Sequence, residues 1–272
     1  NIFLNPLFIF GYGFIPPLGV AGIGYATILV NILGVFLILL KVLKSKRIIG
    51  LSIKYFIPNT NLLKKLFFQS APISAALLLI SVGNFIILTY IGFFGEYAVA
   101  GFGSATRFEQ ILLLPVLGLN TAIISIIAQN FGAKKFLRVQ ESYFTAIKYG
   151  FILMIISGLL IFISADKIVG IFTNNPVVIN YGTSYLKISA LIFPAYPIFF
   201  ISNGFFMAIK KSKNSMYLNV IRNVLLPIPT ILVAKSIDGG YETFFWCYCI
   251  ANWIYVLCLF AYVRSYIKKK IL

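Results

Sequence analysis

Apolar runs of about twenty residues or more follow one another along the chain with only short polar breaks, and inside the runs polar and apolar residues do not alternate. About twenty apolar residues are what a helix needs to cross hydrocarbon, and backbone facing lipid must be helical or in a closed barrel. Continuous apolarity in place of a period of two excludes the barrel. The runs predict helices at about 20–43, 66–94, 98–131, 143–165, 181–209, 216–236 and 241–266, with a truncated one at 1–10. The expected fold class is all-α, a polytopic membrane helical bundle of about eight transmembrane helices.

Composition agrees: 60% of residues are hydrophobic and 11% charged, against about 25% charged in soluble domains. The positive charges then set a direction. Basic residues fill every second break: seven from Lys41 to Lys65, four from Lys134 to Lys148, three from Lys210 to Lys213 and four from Arg264 to Lys270. The alternate breaks, near Glu96, Asp166 and Asp238, hold only Lys167 and Lys235 between them, while Arg107, Lys187 and Arg222 fall inside apolar runs. Positive loops stay cytoplasmic, which puts the C-terminus inside and the Glu96, Asp166 and Asp238 loops outside. A net charge of +17 placed this way faces anionic lipid headgroups and calls for no nucleic acid. The bilayer is the expected partner.

Two short patterns repeat. Asn219 and Asn223, with Gly240 opening the next run, echo Asn1, Asn5 and Gly22 at an offset of 218 residues. Asparagines at i and i+4 share a helix face. An offset spanning six helices suggests internal duplication, the habit of secondary transporters. On that reading 1–43 holds the last two helices of a first lobe, 44–65 is a cytoplasmic linker between lobes, and 66–272 is a complete six-helix lobe. The opening NIFLNPLFIF carries neither Met nor a signal peptide, and if the first two helices are the fifth and sixth of that first lobe, four further helices are expected ahead of them. The alternative for Asn and Gly near helix ends is capping and turn formation.

No chemistry of bond making is legible. Cys247, Cys249 and Cys258 share one run and read as packing residues, the chain has no histidine, and no nucleophile–base pair, Gly-rich phosphate loop or metal-ligand cluster is seen. An enzyme is not expected, nor a cofactor or metal. Six acids in all, four of them in or beside short external loops, argue against a membrane-embedded transferase.

The run at 98–131 carries the densest motif: Gly103, Ala105, Arg107 and Glu109, then Leu114, Pro115, Gly118 and Ala122, and Ala128-Gln129-Asn130 before Gly132-Ala133. Together with Gly19, Gly22, Ala26 and Thr27, and with the stretch from Gly204 through Lys213 to Asn219, it resembles the multidrug and toxic compound extrusion (MATE) family over essentially the whole length. The resemblance implies a MATE-like bundle of twelve helices, of which these would be the C-terminal two-thirds. It implies a monomeric, multi-pass protein of the bacterial cytoplasmic (inner) membrane, a cation-coupled antiporter that exports organic, cationic or amphiphilic small molecules by alternating access. H⁺ or Na⁺ would be the coupling ion. The alternative within the superfamily is a flippase of lipid-linked oligosaccharides, for which Arg107 alone is thin support. The piece in hand is expected not to transport by itself.

Family coupling sites map here with gaps. Where some members carry a carboxylate pair in the second lobe, this chain has Ile80 and Tyr196. The first-lobe site maps to Asn1, Asn5 and Thr27, whose oxygens suit Na⁺ or a hydrogen bond to a titrating Asp. A polar interhelical contact is the alternative for the asparagines. Arg107 lies about 15 Å from the external end of its helix, where a guanidinium costs about 2.5 to 3.5 kcal/mol. Two residues on, Glu109 points to another side, so each needs a partner elsewhere. Arg107 and Glu109 either line the path or gate, or lock their helix into the lobe, and Asn120 is a further candidate for the path or gate. Pro72, Pro115, Pro194, Pro197, Pro227 and Pro229 are candidate kinks.

Overall fold

An amide in hydrocarbon has to find its acceptor within its own segment, and the computed structural model meets that demand with ten α-helices and one π-helical turn among the described residues, 2–11, 16–44 and 59–271. Asn1 and the linker stretch 45–58 lie outside them. The described helices include six long and apolar enough to cross a membrane, and a bent pair that makes a seventh span. With the short first helix this is the expected all-α polytopic bundle.

Two units divide the chain at Thr60 and Asn61. In the first, α1 (Leu4–Phe10) and α2 (Val20–Lys44) form a hairpin. Leu18 and Gly19 donate to the Phe8 and Ile9 carbonyls at 3.1 and 3.2 Å. A Cβ on Gly22 would lie 2.5 Å from the Phe8 oxygen, so only glycine lets α2 cross α1 there.

The second unit holds α3 (Thr60–Gly92), α4 (Glu96–Gly132) and α5 (Phe136–Gly170), then α6 (Pro176–Ile192) and α7 (Ala195–Ala208), and finally α8 (Ser212–Val220), the π turn Ile221–Leu225, α9 (Pro227–Ser236) and α10 (Tyr241–Lys270). At 37 residues α4 is about 55 Å long, so its ends stand clear of the hydrocarbon. Glu96 in its first turn suits the dipole, and Lys134 at φ 57 ends it. Asn175 caps α6 by accepting from the Val177 amide at 3.0 Å, with Pro176 at the first helical position.

The single helix expected at 181–209 is in fact two, bent by 57° at Phe193 and Pro194. Pro194 has no N–H for the Ala190 carbonyl four residues back. That oxygen instead faces Gly158 of α5, where a Cβ would come within 2.7 Å, and the neighbouring Leu191 carbonyl accepts from the Trp253 indole at 3.0 Å. Neighbouring helices thus take over part of what the bend gives up. Pro72 and Pro115 lie inside unbroken helices.

The span expected at 216–236 is continuous but wound wider in its middle. Leu226 donates to Ile221, five residues back, at 2.8 Å, and Pro227 follows with no amide to offer. Gly83 of α3 packs against the widened turn so closely that a Cβ would meet the Asn223 carbonyl oxygen at 2.4 Å. Such turns often mark functional positions.

Candidate functional site

Of the six acidic side chains only Glu109 is buried. It projects from the middle of α4, and both carboxylate oxygens are taken: Tyr185 of α6 donates to Oε2 and Tyr196 of α7 to Oε1. Small residues bring these helices together. Gly101 of α4 and Gly182 of α6 meet so closely that a Cβ on Gly101 would lie 2.9 Å from the Gly182 nitrogen, as in membrane helix pairs generally. The 57° bend then starts a new helix one residue before Tyr196, and brings a second hydroxyl to the same carboxylate.

Tyr196 has a cation on its other side. The Arg222 guanidinium, supplied by the π turn, lies 4.8 Å from the Tyr196 ring centroid and 4.1 Å from that of Phe199. Arg222 is 7% exposed, and its Nε finds no hydrogen-bond partner among the described residues. A desolvated cation over a ring is worth about 2 kcal/mol. Carboxylate and guanidinium are therefore linked through one tyrosine, hydroxyl to the anion and ring face to the cation, without touching. A buried charge left without a direct counter-charge is costly, and two donated hydroxyls offset only part of the cost.

A polar ladder continues from Arg222 along the same helix. Asn223 donates to Asn219 Oδ1 at 3.3 Å, and Asn219 donates to the Ser215 carbonyl at 2.9 Å. The hydroxyl of Ser215 donates to Asn203 of α7. Nearby Tyr255 donates to the Leu218 carbonyl at 3.0 Å.

The residues singled out from the sequence fall in different places. Glu109 is in the cluster. Arg107 is not; it is exposed on another side of α4. Asn120 lies further along α4 against Gly204 of α7, its buried Oδ1 without a partner among the described residues and 2.1 Å from where a Cβ on Gly204 would sit. In the first unit the buried Oδ1 of Asn5 is likewise without a partner, while the exposed Thr27 donates to the Ile23 carbonyl at 2.8 Å. Asn1 is outside the described residues.

Sequence reasoning missed Tyr185 and Tyr196 as Glu109's partners and gave Arg222 no role. A signal was present for Arg222, a cation inside an apolar run between Asn219 and Asn223 and five residues before Pro227. For Tyr185 there was none, because the chain has sixteen tyrosines, whereas Tyr196 stood out only as a position where some family members carry a carboxylate.

Comparison with known proteins places the fold. The family model MatE matches residues 72–233. The multidrug export protein MepA of Staphylococcus aureus strain N315 is 22% identical over 239 residues, and that of Staphylococcus saprophyticus 23% identical over the same length. Each alignment covers 88% of this chain but 52% of the relative, so the chain spans about half the length of the curated relatives it matches. Among solved structures, a MOP superfamily transporter from Pyrococcus furiosus superposes with a TM-score of 0.88 at 24% identity, covering 99% of this chain and 61% of that one. An outward-facing multidrug resistance MATE family transporter gives 0.87 at 24%, covering 98% and 59%. At these identities the superpositions speak for the fold.

Proposed function

The chain belongs to the MatE family, and from that premise we propose that it serves a cation-coupled antiporter that exports organic, cationic or amphiphilic compounds across the bacterial inner membrane by alternating access. Multidrug export is what the staphylococcal relatives are named for. The function is transport and not catalysis. Residues 1–43 are read as the closing helices of a first lobe, 44–65 as the linker and 66–272 as the second lobe, a division supported by the asparagine and glycine repeat at an offset of 218. The distribution of lysine and arginine favours a cytoplasmic C-terminus.

One observation carries the reading: Glu109, the only buried carboxylate, is held by hydroxyls from both halves of a broken helix. H⁺ or Na⁺ arriving at Glu109 competes with those hydroxyls for the same oxygens. Loss of either hydrogen bond removes one of the ties between α4 and α6 or α7, and the bend at Pro194 is where the two halves then shift. A cation that binds one arrangement better than the other shifts the balance by that difference in affinity alone. In the first unit, Asn5 and Thr27 are proposed as neutral ligands to the coupling ion, the support being the buried Asn5 oxygen, which has no partner among the described residues.

Efflux of an organic cation from cells expressing the full-length gene, with pH and Na⁺ gradients imposed separately, tests the proposal. One of the two gradients should drive extrusion above the empty-vector rate. Equal rates under both gradients and without either would contradict it.

A further inference from the structure

A second polar feature lies away from Glu109. The first turns of α3 and the turn joining α7 to α8 border an open groove of about 850 Å³ lined by Lys64, Lys65, Lys210, Lys211 and Lys213, and no acidic side chain among the described residues lines it. The turn is held in place: Lys210 takes φ 60, Lys211 donates to the Phe206 carbonyl at 2.8 Å, and Asn214 donates back to Lys211 at 2.9 Å. A smaller groove of about 300 Å³ shares Lys211 and adds Lys269. Five lysines border this groove and no carboxylate among the described residues does, so the local field is positive and attracts an anion.

We propose that the larger groove binds the phosphate headgroup of an anionic phospholipid. The ligand chemistry is a phosphate ester, and what favours a lipid over a free phosphate is the apolar wall beside the lysines. On the same turns of α3, Phe67 and Phe68 are 68% and 63% exposed, and Phe68 itself lines the hollow. Side chains three and four positions from Lys64 and Lys65 lie on the same helical face. Headgroup and acyl chain would thus meet lysine and phenylalanine in that order.

The site stands apart from the transport reading. Its leaflet follows from the cytoplasmic placement of the basic breaks, but binding in detergent is blind to orientation and to transport, so the two readings can fail separately.

The test titrates the whole chain, in uncharged detergent, with phosphatidylglycerol, phosphatidylcholine, glycerol phosphate or inorganic phosphate, and reads bound lipid by native mass spectrometry and the unfolding temperature. Phosphatidylglycerol should bind and raise the unfolding temperature; the other three should not. Lys64→Gln/Lys65→Gln/Lys211→Gln/Lys213→Gln should weaken phosphatidylglycerol binding about tenfold or more, whereas Lys134→Gln/Lys135→Gln/Arg138→Gln/Lys148→Gln, in the other basic break of that face, should change it by less than about twofold. Equal losses in both variants would mean a diffuse basic surface and overturn the proposal, and so would equal stabilisation by inorganic phosphate. Should the first variant not fold, Lys211→Gln and Lys213→Gln singly must each weaken binding; no change in either overturns it as well.

Discussion

The Arg222 guanidinium lies 4.8 Å from the ring centroid of Tyr196, whose hydroxyl is donated to Glu109. One side chain thereby reports on both charges, and its two halves can be removed in turn. Tyr196→Phe keeps the stacking and takes away one donor, leaving a buried acceptor short at a cost of about 1 to 3 kcal/mol. Tyr196→Leu removes the ring as well and should cost about 2 kcal/mol more. Unfolding midpoints in detergent should fall in the order wild type, Tyr196→Phe, Tyr196→Leu. Coincident midpoints for the two variants would show that the stacking carries nothing.

Gly83 of α3 lies close against Asn223 of the π turn. Gly83→Ala should destabilise by about 1 to 3 kcal/mol, because the atom in the way is a backbone carbonyl that no rotamer can move. Gly118→Ala, where a Cβ meets nothing within 4 Å, should leave the midpoint unchanged. The comparison needs only thermal unfolding of both variants in one detergent.

At the bend, Pro194→Ala returns an amide able to reach the Ala190 carbonyl. The variant should be at least as stable as wild type and slower in efflux, since the two halves of the span gain a reason to line up. Faster efflux with unchanged stability would count against a role for the bend.

How much of this was legible beforehand differs from element to element. The spans were, since their signal is the summed apolarity of about twenty residues and survives local detail. The break at Pro194 was not, because Pro72 and Pro115 sit in equally apolar helices that run on unbroken. What separates them is partly outside their own helix, in Gly158 and Trp253, which meet the freed carbonyls. The same holds for the arginines: Arg107 and Arg222 look alike in the sequence, yet one is exposed and the other lies over Tyr196 and Phe199. Glu109 could be picked out as an acid in an apolar run, but its partners, 76 and 87 residues away, come from packing.

Orientation can be read chemically. With Cys247, Cys249 and Cys258 replaced by serine, Asp238→Cys should react with a membrane-impermeant maleimide in intact cells, and Lys268→Cys only after permeabilisation. The reverse pattern would invert the topology.

On the proposed mechanism the driving cation acts at Glu109, and gradient-driven transport by Glu109→Gln is the decisive measurement. In inverted membrane vesicles, with dye binding measured alongside, the variant should still bind an organic cation but fail to accumulate it under the gradient that drives the wild type. Accumulation at the wild-type rate would contradict the account.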